Sequence, residues 1–313
     1  MKKIRKYAKI IRNQRSILAA KQTPEGKLNA CAAELIRDTH SMEKGLSIVS
    51  PRLGFGHKKQ IDMMSRIEKL YESGSEYHRE ACQMALCSLQ SYIDYHKKLG
   101  YDDEVCQQII AFLERYPAEK TARFGGTVTV DKSDLRFDTE QIERFFRTRH
   151  SIRDFDDKPV DDEVLKKALA LAQTAPSACN RQGVRTYVLS REKSNRLAKS
   201  LEGIGGFADN VDRFIIITGK TSAYRENEIN QYIVSPGIYA AYLSLTLHLY
   251  GLGACVVQRN VIWTKEGKAL QDRLGIPSDE QIICLLAVGN LKEQFTAPVS
   301  YRLSASVINR FVD

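Results

Sequence analysis

No apolar stretch in this 313-residue chain approaches the roughly 20 residues needed to cross a bilayer, which excludes a membrane-spanning reading. The seven cysteines (Cys31, Cys82, Cys87, Cys106, Cys179, Cys255 and Cys284) include no CxxC pair and no regular spacing. A zinc site and a disulfide framework are therefore not indicated, and scattered thiols of this kind fit a reducing compartment. The basic N-terminal residues lack the continuous apolar segment of a signal peptide, so a cytoplasmic location is expected. Internal repeats and low-complexity segments are also missing. With 43% hydrophobic and 27% charged residues, the composition is that of a folded globular protein rather than a disordered one.

Acidic side chains are absent until Glu25, and the formal net charge is +9. Residues 1–135 hold 23 basic and 17 acidic side chains, so most of the excess lies at the front of the chain. A chain of this length suits two domains at roughly 150 residues each. The first helix carries Ile4, Tyr7, Ile11 and Leu18 as an apolar stripe among lysines and arginines. Packing with a solvated face is the favoured reading, ahead of contact with an anionic membrane surface, with nucleic acid last.

The first 116 residues read as helices. Thr23-Pro24 opens a helix that runs to about Lys44, and Ile61, Met64, Ile67 and Leu70 mark a third. Further helices are expected around 78–97 and 104–115. Periodicity then fails, and 117–137 reads as a linker. Asp138 and Gln141 fit a capping box with a Phe137/Ile142 staple, opening a second domain over 138–313. There, helices at 161–174 and Tyr232–Tyr250 alternate with strand patterns at Thr186–Leu189, Phe214–Thr218, Ala254–Val257 and Ile282–Val288, as in a layered α/β or α+β domain.

Three segments of that domain carry chemistry. Arg149-His150-Ser151-Ile152-Arg153-Asp154-Phe155 sets two guanidinium groups and a hydroxyl within five residues, which fits a phosphate clamp or a solvated basic turn. Ala175-Pro176-Ser177-Ala178-Cys179-Asn180-Arg181-Gln182 stops a helix and offers neutral hydrogen-bonding groups to a flat heterocycle; a polar-capped loop fits it equally. Gly251-Leu252-Gly253 leads into a strand ending at Gln258-Arg259, in the opposite order to a Rossmann GxGxxG motif.

In this order, and with the late Ile-Cys-Leu-Leu-Ala-Val-Gly-Asn strand followed by Pro298 and Arg302, these motifs resemble the nitroreductase family over about residues 138–310. The resemblance implies an α+β fold: an α/β/α layered domain with a central mixed, mainly antiparallel sheet, preceded here by an all-α N-terminal domain. It further implies FMN bound at the interface of a homodimer. NADPH or NADH would serve as reductant, and a small organic molecule, nitroaromatic or quinone-like, as acceptor. Carried over by motif, Arg149 and Ser151 hold the phosphate and ribityl chain, with His150 among the cofactor-binding residues and Arg302 closing on the phosphate. Arg153, the one residue assigned a catalytic role, faces the pyrimidine side of the ring. Pro176, Ser177, Asn180 and Gln182 reach the flavin from the other subunit, and the backbone of Gln258 and Arg259 approaches the ring. No metal is expected. Two departures, Gly183-Val184 where many relatives have Pro-Trp and Ser300 where a lysine is frequent, imply altered packing beneath the turn and a modest FMN affinity. The contrasting reading is a non-catalytic flavin-binding or regulatory protein that docks through its basic N-terminal helix on an anionic membrane or a protein partner.

In the helical part, His40 and Glu43 stand one turn apart; salt-bridged surface or interface residues are preferred over a metal or acid/base pair. The Pro51–Gly56 loop is expected as a lid over the flavin pocket. Cys179 and Cys255 fall inside the motifs but read as packed thiols.

Overall fold

The computed structural model describes residues 15, 18–119, 125–228, 230–258 and 264–312. The basic first helix lies almost wholly outside them, and with it the membrane-surface expectation. Among the described residues, no helix is long and apolar enough to cross a membrane.

Four helices, α1 (Pro24–Leu46), α2 (His57–Leu70), α3 (Glu76–Lys98) and α4 (Glu104–Arg115), build the N-terminal region. Each begins where local chemistry allows. Thr23 Oγ1 accepts from Gly26 N at 3.0 Å with Pro24 in the first turn, and Asp103 Oδ1 accepts from Cys106 N at 2.8 Å. Their buried stripes, among them Leu35, Met63, Ile67, Leu86, Leu89 and Ile109, merge into one core. Ile61, expected on the core face, is instead 46% exposed; the α2 stripe runs through Gln60, Met63, Met64, Ile67 and Leu70.

The 51–56 loop is not a lid. Phe55 packs edge-on against Tyr92 at 5.3 Å, Gly54 N donates to His96 Nε2, and Tyr95 OH donates to Pro51 O. These contacts fix the loop to α3. His40 and Glu43 likewise form a structural knot: Glu43 Oε1 accepts from Ser88 Oγ and from Gly126 N, while Oε2 faces His40 Nδ1 at 3.5 Å. The carboxylate thus pins the returning chain onto α3, and no metal-holding group of side chains occurs among the described residues.

The C-terminal half contains α5 (Thr139–Thr148), α6 (Asp162–Ala172), β1 (Val184–Val188), α7 (Arg191–Ala198), β2 (Arg213–Lys220), α8 (Gln231–Leu249), β3 (Leu252–Val257), α9 (Lys265–Leu274), β4 (Glu280–Asn290) and α10 (Ala305–Ile308). The four strands lie in the order β1-β2-β4-β3. Every pairing between them is antiparallel, as in the mainly antiparallel sheet expected, and the one parallel element described is the isolated bridge Ser151↔Ala254. Alternation along the central strands builds two cores. Phe214, Ile216, Leu285 and Ala287 face α7 and α9, whereas Ile215, Ile217, Leu286 and Val288 face α6 and α8. A register shift at Ile217/Thr218 leaves Ile283 outside both sets, in a separate buried cluster with Ala33 of α1, Ala223, Tyr224 and Tyr232. The strand bulge therefore contributes to the seat of the helical region.

Some apolar faces find no cover among the described residues. Phe137, Ile142 and Phe146 on and before α5 are 70%, 45% and 56% exposed, so the expected Phe137/Ile142 staple does not bury its residues. They line a surface hollow of about 590 Å³. Val299, Tyr301, Phe311 and Val312 of the C-terminal segment are at least 82% exposed.

Close packing makes one glycine decisive. A Cβ on Gly219 of β2 would overlap the Tyr232 carbonyl oxygen in the first turn of α8. Gly219→Ala is expected to separate β2 from α8 and to cost at least about 3 kcal/mol, the upper range for overpacking, read as a fall in the urea midpoint.

Candidate functional site

Helix α5 ends at Thr148 with Arg149 as its C-cap, and the following segment runs beside β3, held by a hydrogen bond from Ile152 N to Ala254 O of 3.0 Å. Ile152 and Phe155 point inward, 4% and 1% exposed, against the glycine backbones of β3 and β4; a Cβ at Gly289 would lie 2.7 Å from Phe155. Arg153 is left on the outer side. It is exposed, and its Nη1 reaches back to Ser151 O at 3.3 Å. Arg149 and His150 are half-buried close to His248, whose ring nitrogen lies 3.0 Å from Thr148 Oγ1. Burial, helped by the Arg149 charge, lowers the pKa of His248. Among the described residues, neither Arg149 nor Arg153 forms an ion pair, although carboxylates pair with many other basic side chains of the protein. Burial raises the thiol pKa of neighbouring Cys255, against the opposing Arg153 charge, which makes it a packing group rather than a reactive thiolate.

The second set of residues sits in the turn that precedes β1. Pro176 follows the end of α6, and Ala178–Asn180 make one turn of 3-10 helix. Cys179, Asn180 and Gln182 have φ of 52°, 53° and 47°, left-handed values that cost non-glycine residues about 1–3 kcal/mol each unless the surroundings enforce them. Several contacts do so. Ser177 Oγ accepts from Gln182 N at 2.9 Å, and Gln182 Nε2 donates to Asn180 O. The Asn180 carboxamide has no hydrogen bond to the described side chains or backbone, so it is available to a ligand.

Arg181, to which the motif assigns no role, is fully buried at 0% exposure. It donates to Ala178 O and Ala223 O, grips Glu228 through two bonds of 2.7 and 2.5 Å, and lies 4.7 Å over the Tyr224 ring. No spacing rule relates Arg181 to Glu228, 47 residues on, so nothing local signalled the pair. Gly183 is explained by the same cluster: a Cβ there would lie 2.7 Å from Tyr224 OH. Tyr224 occupies the space next to the departure from Pro-Trp.

The two sets do not meet within one chain. Ser151 and Arg153 flank β3, and the turn feeds β1, the opposite edge of the sheet. Three interstrand spacings separate those edges, about 14 Å. The strand registers put Val184 and Val257 at the same end, so Gln258, exposed just beyond β3, shares an end but not an edge with the turn. Arg259 lies outside the described residues. Arg302 is exposed in the C-terminal segment and forms no ion pair among the described residues.

Comparison with known proteins agrees with this architecture. Residues 146–216 match the model of the nitroreductase family. A candidate NAD(P)H nitroreductase of Streptococcus pyogenes is 46% identical over 55 residues, 18% of this chain; the chain spans about a quarter (27%) of that curated relative. A nitroreductase-like protein of Streptococcus mutans superposes over 56% of this chain and 100% of its own length with a TM-score of 0.50 at 18% identity, a likeness of fold. An FMN-dependent nitroreductase of Clostridium difficile covers 49% of this chain and 90% of its own, with a TM-score of 0.43 and 29% identity. The C-terminal half thus has the fold of a nitroreductase-like protein, its residues 146–216 match the nitroreductase family, and the N-terminal helices are an addition to that fold.

The Arg181 bonds hold the Glu228 carboxyl at a pKa of about 2, below its ordinary value of 4.5. Because the folded pKa is depressed, the stabilisation is present above about pH 4.5 and is lost as the pH falls towards 2. Acid titration of stability should therefore be shallower across that window in Glu228→Gln, which starts less stable at pH 7.

Proposed function

We propose that the protein is an FMN-dependent oxidoreductase that takes reducing equivalents from NADPH or NADH and delivers them to a small organic acceptor of the nitroaromatic or quinone class. The domain boundary belongs to the same proposal: helices over 1–116, a linker over 117–137 and the flavin domain over 138–313. So does a cytoplasmic location, supported by seven cysteines that are all free thiols.

The observation that carries the reading is the donor set. Arg149 and Arg153, without carboxylate partners among the described residues, flank a serine on the β3 edge, while the Asn180 carboxamide, equally unengaged among them, stands on the β1 edge. Cations suit a phosphate and an electron-rich carbonyl edge; amide and hydroxyl groups suit the hydrogen-bonding rim of a heterocycle. These residue types fit FMN. Since one chain keeps the two edges apart, both reach a single ligand when a second copy presents its turn to the β3 edge of the first. The uncovered apolar residues of α5 and the C-terminal segment supply the surface for such a homodimer.

When bound, FMN would supply the two-electron hydride chemistry that links the nicotinamide to an acceptor in a ping-pong sequence. The protein's contribution is position and charge. Arg149, His150 and Ser151 hold the phosphate and ribityl chain, with Arg302 as a second phosphate cation. Arg153 supplies a fixed positive charge at the pyrimidine edge, which favours the more negative reduced state. Pro176, Ser177, Asn180 and Gln182 fix the ring from the other subunit, and the backbone at Gln258 lines its approach, with a cofactor-binding role for Arg259 carried over from the motif alone. Ser300 in place of a lysine leaves phosphate neutralisation to fewer cations, and a modest affinity follows.

Anaerobic addition of NADPH or NADH to the FMN-loaded protein should bleach the visible flavin absorption; protein that takes up no FMN would sink the reading. In stopped flow, Arg153→Ala should slow that bleaching by roughly 10- to 100-fold, the scale of a charged hydrogen bond, while changing the FMN Kd less.

A further inference from the structure

We infer that Arg181 is the positioning residue of the turn that reads the flavin ring, and that helix α1 forms the back wall of its seat. The inference rests on the FMN reading above and adds a role for the helical region.

A fully buried guanidinium is an expensive way to fill space, and a buried ion pair is often replaceable by apolar residues with no loss of stability. What it supplies is direction. Arg181 Nε bonds the carbonyl of Ala178 in its own turn, Nη1 bonds the carbonyl of Ala223 and an oxygen of Glu228, and Nη2 takes the other Glu228 oxygen. Three chain segments are thereby held in one plane, with the Tyr224 ring stacked against it. Glu228 is itself fixed by a bond from Arg225 N of 2.8 Å. Inside the loop closed by these bonds lie the left-handed residues Cys179 and Asn180. Held in this conformation, the Asn180 carboxamide makes no hydrogen bond among the described residues.

The seat has a second side. Lys21 Nζ donates to Tyr224 O at 2.6 Å, and Arg225 is gripped by both oxygens of Glu34 at 2.9 and 2.6 Å. Ala33 of α1 shares a buried cluster with Ala223 and Tyr224, against which Ala178 of the turn packs. Contacts thus run from α1 through Tyr224 to Arg181 and the turn. Docking of the helical region and flavin affinity are coupled through one set of side chains.

The test separates the ring from the phosphate. With the full-length chain, binding of FMN and of riboflavin is measured by fluorescence quenching for wild type, Arg181→Lys, Glu34→Ala and Arg149→Ala. Lysine keeps the charge but loses the fork, so Arg181→Lys should weaken FMN and riboflavin by the same factor, at least tenfold. Glu34→Ala should weaken both several-fold, whereas Arg149→Ala should weaken FMN and spare riboflavin. A folded Arg181→Lys with wild-type riboflavin affinity, or one that loses FMN alone, overturns the role of Arg181; unchanged binding in Glu34→Ala overturns the role of α1. Should Arg181→Lys not fold, Glu228→Gln takes its place, with an equal loss of at least threefold expected for the two flavins. Hydrogen exchange over 176–183 supplies an arm independent of flavin: the turn amides should exchange faster in Arg181→Lys and Glu34→Ala, and unchanged protection overturns the inference. A wild-type chain that takes up neither flavin defeats the FMN reading, and the exchange arm still decides the latch.

Discussion

At the entrance to β4, the carboxylate of Asp279 is 4% exposed and holds four elements together. Its Oδ2 accepts from Asn29 of α1 and from Ser222, and faces Lys220 Nζ of β2 at 3.2 Å. Asn29 Oδ1 in turn lies 3.0 Å from His78 Nε2 of α3, whose pKa is lowered, first by burial and then by the Lys220 charge. The carboxylate gives the buried Lys220 side chain an opposite charge, and Asn29 links it to the imidazole. Taking one charge from such a pair costs about 3–5 kcal/mol, because its partner stays buried and uncompensated. The same geometry seats the helices on the sheet, and through Ala33 and Tyr224 it reaches the turn before β1.

The sheet is buried on both faces, which leaves its two edges for contact with other groups. The protein places Arg149 and Arg153 on one edge and its left-handed turn on the other. An edge strand exposes backbone donors and acceptors that must be covered or occupied, and β3 is partly covered by the segment around Ser151. Burial of Ile152 and Phe155 against Gly253 and Gly289 leaves the alternate residues, Ser151 and Arg153, facing out. Packing on one side thus creates the chemistry of the other.

Element order was legible because it rests on local chemistry. Thr23-Pro24, Asp103 and Asp138 cap their helices as their types dictate, and the strand runs around 214–218 and 282–288 are apolar on both faces, as buried central strands require. The motif residues were legible as types, too. Less legible was what holds them. The role of Arg181 depends on Glu228, and the roles of Gly183 and Ile283 depend on Tyr224 and Ala33, partners remote in sequence. A glycine loop over 51–56 has the composition of a lid, but the aromatic surface of α3 captures Phe55. Ile61 has the right spacing for a core residue, yet α2 is rotated so that Met63 and Ile67 fill the core.

Helix and strand periods, caps, charge distribution and the ordered motifs of residues 149–153, 175–182 and 251–259 were determined by the sequence alone, because each arises from neighbours within a few residues. The strand order that puts the arginines and the turn on opposite edges, the burial of Arg181, and the seating of α1 behind the turn were decided only by tertiary structure. Those features are pairings across tens to hundreds of residues, selected by packing and by the need of buried charges for partners, and no local pattern encodes them.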